Sequence, residues 1–156
     1  MDEELSIVTV THSFLAEPGI WNAEGYYTDE FGRTVQARGT AHIIHGDTLW
    51  INEGSITVYF PEPVEIFNHY EIKPFKPHES RTTWVSRNPT LGRLMGDFII
   101  VSDSILSLFR SATGDYRGFE YLLRLSHERY TNRGVLLRGE VMMSSWSMEL
   151  VRRSDL

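Results

Sequence analysis

From Thr34 to His45 small or apolar residues alternate with polar ones, placing Val35, Ala37, Gly39, Ala41 and Ile43 on one face. A period of two is that of a half-buried β-strand. It returns between Val64 and Lys73, where Val64, Ile66, Asn68, Tyr70 and Ile72 share one face and Glu65, Phe67, His69, Glu71 and Lys73 the other. Strand-like runs also occupy Trp21 to Thr28, Leu49 to Phe60, Arg81 to Arg87 and Leu94 to Val101. Ser104 to Ala112 reads two ways. Ile105, Leu108, Phe109 and Ala112 fit a helical stripe capped by Ser104 and stopped near Gly114, whereas the alternation of Phe119, Tyr121, Leu123 and Leu125 that follows continues a strand meander. The second reading is preferred here.

Turn chemistry separates these runs. Asp29-Glu30-Phe31-Gly32, Gly46-Asp47, Asn88-Pro89 and Gly114-Asp115 are hairpin signals, and Asn132-Arg133-Gly134 is read as a turn into Val135 to Ser144, with Trp146 to Arg152 closing the chain. Gly54 marks a bulge or bend, and Pro74-Phe75-Lys76-Pro77-His78 a loop, because proline cannot donate to a ladder. The connections are too short for parallel crossovers. The pattern therefore predicts an all-β, antiparallel up-and-down barrel of about nine or ten strands, as a single domain over residues 1–156. A two-sheet β-sandwich is the alternative.

Composition narrows the picture. The chain is 41% apolar and 12% aromatic, which suits a folded core, and its net charge of −6 is spread rather than blocked. Dispersed acidity argues against a nucleic-acid or anionic-membrane surface. Cysteine is absent, which excludes disulfides, thiolate metal sites and a cysteine nucleophile. Met1-Asp2-Glu3-Glu4 is acidic where a secretory signal is basic, so the expected location is cytoplasmic.

Gly19-Ile20-Trp21, opening the first strand, resembles the Gly-x-Trp signature of the calycins: lipocalins, fatty-acid-binding proteins and nitrobindin-like haem barrels. The resemblance implies a barrel with Trp21 as a plug at one end, and with Arg152 or Arg153 packed over its ring. Neither the lidding helices of fatty-acid-binding proteins nor lipocalin disulfides have a counterpart here, so the nitrobindin-like barrels are the nearest analogue. In such a barrel an inward histidine would be the axial ligand of haem, and His127, ending the row that starts at Phe119, is the candidate.

The residues themselves supply few sharper signals. His42 and His45 lie three apart and so point to opposite faces of a strand, which does not make a metal pair. His69 shares a face with Glu65 and Glu71, as a solvated row would. Glu120, Arg124 and Glu128 are read as outer-face ion pairs, and Arg87 as a surface arginine. Ser144-Ser145 has no accompanying base or elbow motif. The leading expectation is non-covalent binding of a small, largely apolar ligand in the barrel interior, with Tyr27, Asn68, Tyr70, Trp84, Tyr121 and His127 as contacts. A cofactor-free enzyme of isomerase or cyclase type in the same cavity is one alternative. A filled barrel that acts through its surface, including as a homo-oligomer, is another.

Overall fold

In the computed structural model, which describes residues 11–154, ten strands follow one another in an antiparallel meander that closes on itself. They are β1 (Gly19–Thr28), β2 (Thr34–His45), β3 (Trp50–Val58), β4 (Val64–Ile72), β5 (Arg81–Asn88), β6 (Gly92–Val101), β7 (Ser104–Ser111), β8 (Tyr116–Ser126), β9 (Arg129–Arg138) and β10 (Val141–Arg152). Each strand pairs with its sequence neighbours, and β1 meets β10 from Trp21↔Arg152 to Thr28↔Ser145. Closure leaves no long free edge. The thinnest seam is β4–β5, whose ladder is Tyr70↔Ser86, Glu71↔Val85 and Ile72↔Trp84, extended by the Lys73 N–H donating to the Thr83 carbonyl at 3.0 Å. Ser104–Ser111 is a strand, so the helical reading of that stretch falls away.

Two sequence expectations need correction. Asn132-Arg133-Gly134 is not a turn: it lies within β9, paired to both β8 and β10, and the chain reverses at Gly139-Glu140 instead, with Gly139 at φ 59°. Asn132 and Gly134 have inward duties that their turn propensity conceals. The ladder also runs without a register shift through Gly54, where a Cβ would collide with the Thr40 carbonyl. The irregularities fall at Arg124/Ser126 and Met142/Ser144.

One end of the barrel is sealed by residues 11–18. His12 Nε2 donates to the Ser102 carbonyl at 2.9 Å, so Nδ1 accepts from the Tyr130 hydroxyl at 2.8 Å. That hydroxyl in turn accepts the Ser13 N–H at 3.1 Å. Burial pushes the His12 imidazole below its ordinary pKa, consistent with this neutral tautomer. His45 Nε2 donates to the Leu15 carbonyl and its ring stacks 3.9 Å from that of Trp50, anchoring the same segment from β2.

Trp21 lies wholly buried at this end, edge-on to Phe14 (5.4 Å) and Tyr130 (5.5 Å). Of the two C-terminal arginines, Arg152 holds its guanidinium 6.0 Å from the Trp21 ring centroid. It also donates to Glu17 (2.8 Å) and to the Pro18 carbonyl (2.9 Å). Gly19 makes room for it, since a Cβ there would sit 3.2 Å from Arg152 Nε. Arg153 joins the β1 backbone through its N–H to the Ile20 carbonyl.

Candidate functional site: the barrel cavity

Inward side chains are too few and too small to fill the barrel. Ala23, Ala37, Ala41 and Gly54 face the interior on β1–β3, and they leave a cavity of about 640 Å³. That is within the range of small-molecule sites. Phe14 and Leu150 line its sealed end. Its mouth is at the opposite end, among the β1–β2 turn, Phe60, Leu91 and Tyr116. There Arg33 pairs with Asp29 at 2.7 Å and lies over the rings of Phe31 and Phe60.

The aromatic wall depends on glycines. Trp84 lies across Gly96, Phe109 across Gly118 and Trp146 across Gly134, each ring occupying the space a Cβ would take on the neighbouring strand. A glycine in a strand interior often marks such a close approach. Tyr70 meets Trp84 edge-to-face at 4.9 Å, and Trp84 Nε1 donates to Ser107 Oγ at 3.1 Å.

Inside this apolar wall sits a carboxyl group. Glu120 projects from β8 into the cavity, where Trp146 Nε1 donates to its Oε2 at 2.9 Å. The Asn132 side-chain amide also favours its charged form, while the Asn132 Nδ2 donates to the Tyr121 carbonyl at 3.1 Å. Among the described residues no ion pair reaches Glu120. Burial pushes its pKa above the ordinary carboxylate value, partly offset by the Trp146 and Asn132 donors. Burial, and then the nearby Glu120 charge, raise the Tyr70 hydroxyl well above its ordinary pKa.

Of the residues expected to contact a ligand, Tyr27, Asn68, Tyr70 and Trp84 line the cavity. Tyr121 does not. On β8 it is Gly118, Glu120 and Leu122 that point inward, so the row Phe119, Tyr121, Leu123, Leu125 faces outward, with Phe119 and Leu125 exposed. Glu120 accordingly leaves the outer-face group in which it was expected, and so does Arg124, which shares its face of β8 and whose Nε is buried; among the described residues neither they nor Glu128 forms the expected ion pairs. His127 is displaced as well: it sits on the β8–β9 turn at the sealed end, exposed, with Nε2 3.2 Å from Glu17. No histidine is among the described cavity-lining residues, so the arrangement does not fit haem held by an inward axial histidine. His69 bridges Glu53 and Glu71 on the outer face, and Arg87 is exposed as expected. Among the described residues no cluster of three or more acidic or histidine side chains forms a metal site. Nor is any helix long and apolar enough to cross a membrane.

No family model matches the chain, and no curated protein matches it. Among solved structures, the S-type phycobiliprotein lyase CPES from Guillardia theta superposes with a TM-score of 0.65 at 9% identity, over 97% of this chain and 98% of that one. A redesigned β-barrel matches with a TM-score of 0.41 at 14% identity, over 94% of this chain and 99% of that one. At 9% identity the likeness to the lyase is one of fold.

Proposed function

We propose that this protein binds a small, largely apolar ligand inside the barrel. The observation that carries the reading is the aromatic-walled cavity of about 640 Å³, open at one end and holding a few convergent polar groups. Pockets of that size and lining are the usual form of small-molecule sites. The Trp21–Arg152 contact beneath Gly19 is the arrangement implied by the calycin resemblance, and it supports placing the chain among calycin-like barrels. The barrel shared with the phycobiliprotein lyase supports the fold part of that reading only.

Trp84 and Trp146 line the cavity and report its occupancy. Titrating the purified protein with decanol should change their fluorescence saturably, and native mass spectrometry should show one added molecule. Ala41→Trp, which places a large ring in the same space, should abolish both signals while the far-UV circular dichroism stays that of a β-barrel. Equal binding by the blocked variant would place the ligand outside the cavity and defeat the proposal.

One observation favours a second reading. A half-buried carboxyl with a raised pKa, whose charge also raises a tyrosine hydroxyl, is a recognised arrangement for general acid–base chemistry. A ligand that co-purifies with the protein and is recovered chemically unchanged after prolonged incubation would oppose it.

A further inference from the structure

We propose that the cavity selects ligands bearing a basic, protonated nitrogen, and that Glu120 is the counter-charge that meets it. The inference rests on the binding function proposed above and names the chemistry of its ligand.

The charges around the cavity are lopsided. Its lining carries three carboxylates, Asp29, Glu30 and Glu120, against one cation, Arg33. Arg33 stands at the mouth, exposed, bound to Asp29 and lying over the rings of Phe31 and Phe60, and it belongs to the strand turn rather than to the interior. Away from the mouth Glu120 is the one carboxyl among the described lining residues; Trp146 donates to it, Asn132 favours its charged form, and its charge acts on the Tyr70 hydroxyl. Neutral donors hold a carboxylate in place but leave its charge uncompensated. A charge left unpaired against apolar walls is costly, and an occupant of opposite sign relieves that cost.

A cationic ligand supplies it. An ammonium group at Glu120 would gain a charge-assisted hydrogen bond in a low-dielectric setting, while the walls of Trp84 and Tyr70 accept its apolar body. Faces of the same rings offer cation–π attraction to the nitrogen. A carboxylate-headed ligand of the same length meets repulsion at Glu120, and Arg33, the one cation among the described lining residues, is already paired with Asp29 at the mouth, so a fatty-acid-like anion is disfavoured. Position is set by the fold: Gly134, directly across from both Glu120 and Trp146, lets the indole lie flat and point its N–H at the carboxyl.

The test compares decylamine, decanol and decanoate at neutral pH, read by the fluorescence of Trp84 and Trp146 and checked by calorimetry. Decylamine should bind at least about 10-fold more tightly than decanol, and decanoate more weakly than either. In Glu120→Gln the amine should lose about 10- to 100-fold in affinity relative to decanol, the range expected for a hydrogen bond to a charged group, and retained saturable decanol binding shows that the cavity is intact. Decanol or decanoate binding as tightly as the amine would overturn the inference and leave the binding function standing. So would an amine-to-decanol ratio unaltered in Glu120→Gln. Failure of all three to bind would overturn the binding function, and the inference with it.

Discussion

Replacing Trp21 with alanine tests the sealed end of the barrel directly. The side chain is fully buried, and a tryptophan buries about 150–250 Å². At about 25 cal/mol per Å², its transfer alone is worth roughly 4–6 kcal/mol. Two edge-to-face contacts, with Phe14 and Tyr130, add about 0.5–1.5 kcal/mol each. Against this stands the indole N–H, buried without a partner among the described residues, whose removal returns about 1–3 kcal/mol. The balance agrees with the roughly 3–5 kcal/mol typical of large aromatic truncations in a core. In a chain of this size that is a fall in melting temperature of roughly 6–20 °C. Equilibrium urea unfolding, followed by near- and far-UV circular dichroism, gives the free energy. Trp21→Phe is the partner experiment: it keeps a ring against Phe14 and Tyr130 and removes the unpaired N–H, so it should cost much less. A loss below about 1 kcal/mol for the alanine variant would refute the reasoning, since a ring that seals the core cannot be dispensable.

Other outcomes follow from the same physics. Gly134→Ala forces a methyl group into the Trp146 indole, so it should destabilise by about 1–3 kcal/mol in urea and change the near-UV spectrum; an unchanged spectrum would place that ring elsewhere. Glu120 has a raised pKa in the native state, so above the ordinary value of 4.5 the unfolded chain sheds its proton first. Its contribution to native stability is therefore present at low pH and lost as pH rises through the native pKa. Glu120→Gln should gain melting temperature relative to the parent between pH 4 and 7, and a constant difference across that range would contradict the burial of the carboxyl. His12 shifts the other way. Its native pKa is depressed, so the unfolded chain takes up a proton as pH falls below 6.5 while the native imidazole stays neutral, and stability declines there. His12→Gln should flatten that part of the profile in thermal melts, and an unaltered slope would mean that His12 titrates freely.

How much could be read in advance depended on what each strand does with its two faces. In β2 and β4 the apolar face is the inward face, and a period of two assigned it correctly. On β8 the same rule selected the wrong side. The outer surface there carries apolar residues, with Leu108 paired to Phe119 and both exposed, while the inner side holds a glycine and a carboxyl beside the single apolar Leu122. A hollow barrel needs less inward apolar bulk than a packed core, so apolarity alone no longer identifies the inside. Glu120 was therefore placed among solvated charges, and Tyr121 and His127 in the cavity, by one misread alternation.

Beyond what the calycin resemblance implied for Trp21 and a C-terminal arginine, local chemistry in the amino-acid sequence determined that the chain is antiparallel β and that its strands are joined by short turns. Those properties depend on backbone preference and period, which a neighbourhood of a few residues contains. Tertiary structure alone decided which face of β8–β10 turns inward, that Gly134 sits beneath a ring rather than in a turn, and that a lone carboxyl lies within the barrel. Each depends on the register in which separate strands meet, and a shift of one residue in that register exchanges core for surface along a whole strand.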